Sequence, residues 1–176
     1  MKNLLIELDA CEEAREWAGD KTAEQIINEC HRGDWLLWLA QKVDLDFRLL
    51  TLAKGKCANT VRHLMKDERS IKAVDTIIAF GEGKATRDEL NDVAYVADTA
   101  DAAYIAATVY AIDAVDAADA AAYAAFVYAT VDATVDACAN LNNRADARKQ
   151  NQLQTADICR EVFGKQLLEI LNNKVK

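Results

Sequence analysis

Not one of the 176 residues is proline, where ordinary usage of about 5% would supply roughly nine. No segment is therefore barred from the helical hydrogen-bond ladder, and punctuation falls to glycines and side-chain caps. Three capping boxes are written into the chain: Asp9 with Glu12, Thr22 with Gln25, and Thr86 with Glu89. In each, the first side chain takes an orphan amide and the acid or amide three residues on reaches back. Asp34 and Asp46 read as further N-caps, and Gly19, Gly33 and Gly81 fall where a left-handed C-terminal cap favours a residue without Cβ. The spacing predicts helices over 4–18, 23–32, 35–43, 47–65 and 69–80, a pair filling 87–142, and two more over 144–162 and 165–173. No strand pattern competes. The expected fold is all-α: a single-domain multi-helix bundle or short helical array with a long Ala-rich helical hairpin.

A chain of this length buries a core as one domain, and no linker-like run divides it. Within 1–176 the sequence organises as N-terminal helices with a Trp-rich corner (1–86), an Ala/Asp/Tyr repeat (87–142) and C-terminal helices (143–176). The five cysteines are odd in number and lack a Cys-x-x-Cys pair, which suits reduced thiols in a cytoplasm. The opening Met-Lys-Asn-Leu-Leu-Ile-Glu meets acid too early for a signal sequence. The longest apolar runs, Ala102 to Ile112 and Ala120 to Val131, fall short of the roughly 18 residues of a membrane span. A cytoplasmic protein without membrane contact is expected.

The most unusual stretch is a tripeptide repeat. From Asp92 to Tyr128 nearly every third residue is Asp or Tyr and the rest are mostly small: Asp92, Tyr95, Asp98, Asp101, Tyr104, Tyr110, Asp113, Asp116, Asp119, Tyr128. The fifty-six residues between Arg87 and Arg144 hold ten carboxylates and no Lys or Arg. Of 29 acidic residues, 19 then remain elsewhere against 21 basic ones, so this tract accounts for the whole net charge of −8. A period of three should smear around a helix, yet Asp98 with Asp116 and Asp101 with Asp119 are eighteen residues apart, five whole turns. An arc of roughly 140° is left free of charge. A continuous helix over 87–142 would be roughly 80 Å long, against a radius of gyration of about 16 Å for a globule of this size, so a break is expected between Val109 and Asp116. Such a face serves either recognition or simple solvation, and triplet expansion can also produce it.

Large side chains concentrate in Cys30-His31-Arg32-Gly33-Asp34-Trp35-Leu36-Leu37-Trp38-Leu39-Ala40. Trp35, Trp38 and Leu39 share a helix face, with both Trp rings expected to be largely buried. The segment reads as a core corner stapling two helices, or as a Trp-lined pocket with Arg32 and Asp34 at its rim. His63, Lys66, Asp67 and Arg69 form a second polar cluster after the apolar helix, where cations also complement a helix C-terminus. With two histidines there is no Glu-x-x-His, no His-Glu-x-x-His and no zinc spacing, and Gly81 to Thr86 lacks the phosphate-loop spacing. No catalytic residue, metal or cofactor is therefore expected, and the chain reads as a non-enzymatic binding protein.

Asp9-Ala10-Cys11 followed by Trp17, then Cys30 with Arg32-Gly33-Asp34-Trp35-Leu36-Leu37-Trp38, Arg48-Leu49-Leu50-Thr51-Leu52-Ala53, Thr60-Val61-Arg62-His63-Leu64, the Ala-Ala-Tyr and Ala-Ala-Asp triplets and Asn151-Gln152-Leu153-Gln154-Thr155-Ala156-Asp157-Ile158-Cys159-Arg160 cover most of the chain. Together they resemble a family of all-helical immunity proteins of bacterial polymorphic toxin systems, with related Ala-rich phage-encoded proteins. The resemblance implies an intracellular protein that neutralises a toxin by direct binding. If that toxin is a basic nuclease, carboxylates can stand in for phosphates, and Asp98, Asp101, Tyr104, Tyr110, Asp113, Asp116 and Asp119 are the expected contact surface. The alternative is a phage counter-defence protein that sequesters a small anionic, nucleotide-like ligand. Its pocket would draw on Arg32, Asp34, Trp35, Trp38, His63, Arg69, Gln152, Asp157 and Arg160. Neither reading involves direct nucleic-acid contact, and the oligomeric state stays open.

Overall fold

A computed structural model describes residues 1–60, 62–64, 68–96 and 141–174. Every regular element among them is helical: α1 (Lys2–Glu7), α2 (Glu12–Ala18), α3 (Ala23–Glu29), α4 (Gly33–Lys42), α5 (Phe47–Asn59), a 3₁₀ turn (Arg62–Leu64), α6 (Glu68–Gly81), α7 (Arg87–Val96) and α8 (Leu141–Lys174). The all-α expectation is met. The rest of the expected Ala-rich hairpin, with its break and its Asp and Tyr contact residues, lies outside the described residues.

Two of the three capping boxes form. Thr22 Oγ1 accepts from Gln25 N while Gln25 Oε1 accepts from Thr22 N, and Thr86 and Glu89 make the same exchange at the start of α7. Asp46 caps α5 by accepting from the amides of Arg48 and Leu49 at 3.0 and 3.1 Å. Asp9 does something else. Its φ of 61° closes α1 in a left-handed cap, with Asp9 N bonded to Ile6 O and Ala10 N to Leu5 O, and the expected helix 4–18 becomes two. Asp44, at φ 58°, ends α4 in the same way. Asp34 is not a cap either, since it lies inside the first turn of α4.

The expected glycine caps divide by surroundings. Gly19 has positive φ as anticipated. Gly33 instead begins α4, buried against α8, where a Cβ would stand 2.3 Å from Thr155 Oγ1. Gly81 closes the helical run of α6, with Leu52 Cβ 2.4 Å from where its own would be. The left-handed residue after α6 is Gly83, at φ 77°. Helix α5 stops at Asn59 rather than 65, with the Thr60 hydroxyl turned back onto Cys57 O at 2.7 Å. The expected break near 163 is absent. Helix α8 runs for 34 residues, about 50 Å, straight through buried Gly164.

Two cores meet at α5. The larger joins α1 to α5 with one stripe of α8, where Thr155, Cys159, Phe163, Leu167 and Leu171 recur every fourth residue and are at most 5% exposed. Burial of Phe163, Leu167 and Leu171 stabilises the fold by about 2 kcal/mol each. The smaller core holds Ala58, Ala73, Val74, Ile77, Phe80 and Leu90, from α5, α6 and α7. Being covered on several sides, α5 is buried around much of its girth and carries Lys54 inside, 2% exposed. Among the described residues no helix is long and apolar enough to cross a membrane.

Candidate functional site

The Trp-rich corner is built by the turn from α3 into α4. Cys30 and Arg32 are extended, so the last carbonyls of α3 lack helical partners and point toward α8. Arg160 of α8 supplies the donors: its Nη1 reaches Ile27 O at 3.2 Å and Cys30 O at 2.7 Å, while its Nη2 reaches Asp157 Oδ1 at 2.6 Å. On the other side of Cys30, the Arg32 guanidinium forms a bidentate pair with Asp34, Nε to Oδ1 at 2.8 Å and Nη2 to Oδ2 at 2.5 Å. It also lies 3.5 Å from Glu13 and stacks on Trp35 with 4.6 Å to the ring centre. The Asp34 hydrogen bond holds the Arg32 proton more tightly than usual, outweighing partial burial.

Trp17, His31 and Trp35 form a ring cluster with centroids 5.8 to 6.1 Å apart. Trp35 and Trp38 are half-buried, not fully so, because one edge of each packs on the core while a cation covers another part of the ring: Arg32 over Trp35 and, at 5.8 Å, Lys42 over Trp38. Beneath them is a cavity of about 30 Å³ lined by Trp17, Trp35, Trp38, Ile26, Cys30 and Leu39. Small-molecule pockets usually hold about 300–1,000 Å³, so a nucleotide does not fit here. Burial pushes the Cys30 thiol up to about 11, and its S–H donates to Arg32 O at 3.3 Å.

The residues expected to form one anion pocket thus divide. Arg32 interacts directly with Asp34 and Trp35, Trp38 lines the small cavity with Trp35, and Arg160 with Asp157 sits at the adjoining end of α3. Gln152 is half-buried on α8, where its carbonyl accepts from the Thr155 hydroxyl at 3.0 Å. His63 is exposed in the 3₁₀ turn and Arg69 is exposed near the start of α6, on the side of the second core. Glu13, Trp17 and His31 join the corner without having been expected there as site residues. Glu13 and Trp17 reach it from α2, across elements, so no local spacing announces them, whereas His31 stands four residues before Trp35 within the same aromatic segment.

Between α6 and α7 lies an open cleft of about 410 Å³ lined by Lys72, Asp75, Thr76, Lys84, Glu89 and Asp92. Its charges are already engaged in part: Asp75 is held below the usual carboxylate range by its hydrogen bond to Arg62, and Glu89 by its hydrogen bonds to Thr86. Among the described residues no group of three or more His, Cys, Asp or Glu is placed to hold a metal ion. No protein-family model, curated protein or solved structure matches the chain.

Proposed function

We propose that this chain is a non-enzymatic binding protein of the toxin-immunity type, which neutralises a basic protein toxin through its acidic tract. The observation that carries this reading is the charge segregation: ten carboxylates and no Lys or Arg between Arg87 and Arg144, in a chain otherwise close to charge balance. Complementary fields of this kind accelerate encounter and fix orientation, and Tyr interleaved with Asp adds rigid amphipathic contact area. Asp98, Asp101, Asp113, Asp116 and Asp119, with Tyr104 and Tyr110, are the proposed contacts.

The corner geometry weighs against capture of a small anion. An anion-binding Arg needs unspent donors, whereas Arg32 is paired with Asp34 and Arg160 with two carbonyls and Asp157. Displacing those partners would leave a buried helix end unsatisfied, at a cost of about 1–3 kcal/mol per lost bond.

The test is co-expression with a nuclease toxin encoded beside it in the same genome. The chain should restore growth, and the triple variant Asp113→Asn, Asp116→Asn, Asp119→Asn should protect less at equal protein level. Calorimetric titration with cyclic and linear nucleotides should give no heat of binding. Full protection by the triple variant, or saturable nucleotide binding lost in Arg160→Met, would transfer the function to the corner.

A further inference from the structure

The acidic tract begins on a described helix. α7 carries Asp88, Glu89 and Asp92, the first three of the ten carboxylates, and all three are exposed. Leu90, 0% exposed, fastens α7 to the smaller core, so these carboxylates stand on a fixed support. Glu89 and Asp92, three residues apart, share one wall of the cleft between α6 and α7. Its volume of about 410 Å³ falls within the range of about 300–1,000 Å³ that bound groups occupy. Glu89 Oε2 accepts from Thr86 N and Thr86 Oγ1 at 2.7 and 2.9 Å, which leaves Oε1 unspent among the described residues. Asp92 has no ion pair or hydrogen-bond partner among them. Beside these carboxylates the lining is small and apolar: Ala79 from α6, with Ala85 and Val93 from the α7 side. At the loop end of the cleft, Lys84 is held by Glu82 at 2.6 Å. On α6, Asp75 is paired with Arg62, and Lys72 lies one turn farther from the loop.

We propose that this cleft is the anchor site of the acidic surface and takes one Lys or Arg side chain of the basic toxin. The proposal rests on the toxin-binding reading and names where one partner residue seats. Charge and lining select this occupant together. With Asp75 and Lys84 already satisfied by Arg62 and Glu82, the unspent groups are Glu89 Oε1, Asp92 and Lys72, so a cation is the better complement. The aliphatic stem of such a side chain lies on Ala79, Ala85 and Val93, and its charged head bonds the free oxygens of Glu89 and Asp92. The site is continuous with the rest of the proposed surface, because Asp92 both lines the cleft and opens the Asp/Tyr series. The two parts then act on different steps: tract charges speed encounter, and a side chain seated in the cleft slows escape.

The first arm of the experiment needs no toxin. The isotope-labelled full chain is titrated with Nα-acetylarginine amide, whose guanidinium is its only charge, and separately with Nα-acetylcitrulline amide, its neutral isostere, and followed by amide NMR. The arginine probe should shift the amides of Ala79, Ala85 and Val93 saturably, and the citrulline probe should not. The double variant Glu89→Gln, Asp92→Asn should weaken the arginine site about tenfold. The start of α7 tolerates this change, since a carboxamide oxygen can accept from Thr86 N as Gln25 Oε1 does from Thr22 N. In the second arm, a basic toxin should dissociate about tenfold faster from the double variant at a nearly unchanged association rate. Equal shifts from the two probes, no shift at the cleft, or arginine binding unchanged in the double variant would overturn the anchor site. So would toxin dissociation that the double variant leaves unaltered. Failure of the parent to bind any basic toxin would instead refute the toxin reading on which the anchor rests.

Discussion

Lys54 and Arg160 are both cations within the helical layers, and they are held in opposite ways. Arg160 has a partner for each donor direction that matters. Lys54 has one neutral hydrogen-bond partner, Gln41 Oε1 at 3.4 Å, and burial lowers it from 10.5 to about 8. Between those values the unfolded chain still holds a proton that the folded chain has released, so stability contributed at this site rises with pH from about 8 to 10.5. Below about 8 the fold carries the full cost of a buried ammonium. Lys54→Met should therefore stabilise the protein at neutral pH by up to about 3 kcal/mol, and this advantage should shrink as pH rises through that window. Urea unfolding of both proteins across the range checks it; an advantage independent of pH contradicts it. For Arg160, removal should be costly: Arg160→Met is expected to lose about 2 kcal/mol, whereas Asp157→Asn, with its side chain 74% exposed, should lose under about 0.5. Equal losses would mean that the ion pair, not the capped carbonyls, carries the effect.

Helix identities were legible because their signals are local. Thr22 with Gln25, Thr86 with Glu89, and Asp46 each act within one turn, and the structure uses them as the spacing predicts. Asp9 and Gly33 were not legible, for different reasons. An Asp can cap the start of a helix or close the end of the previous one, and Asp9 takes the second role because a left-handed turn lets α1 and α2 both pack on the core. Gly33 looks like a C-cap from its neighbours alone, while its requirement comes from Thr155, more than a hundred residues away. Gly164 resembles a breaker in the same way, yet helical packing against Ile27 carries α8 through it. Gly33→Ala should accordingly cost about 2–4 kcal/mol by overpacking, since the new Cβ would meet the backbone as well as the side chain of Thr155. Gly83→Ala meets nothing within 4 Å and should cost only about 1 kcal/mol, the strain of a left-handed alanine. Thermal melts that rank these two the other way would contradict the close α4–α8 approach.

Across the molecule, the candidate corner was legible in its residues and not in its purpose. The sequence placed Arg32, Asp34 and Trp35 together, but an Arg near a Trp reads the same whether it waits for a phosphate or is already paired, and only geometry distinguishes them. With those guanidiniums engaged, the proposed contact surface is the acidic tract, on the strength of the excess negative charge in its sequence. Exposed charges act mainly on encounter, over distances that salt screens at about 10 Å in 0.1 M solution. The direct test of the proposed function is the association rate with a basic toxin across a salt series, for the parent and for the Asp113→Asn, Asp116→Asn, Asp119→Asn variant. The parent rate should fall steeply with salt, and the variant should start slower and fall less, with an unchanged helical circular dichroism signal. Identical rates for the two proteins at every salt concentration would contradict the assignment of the acidic tract as the partner surface.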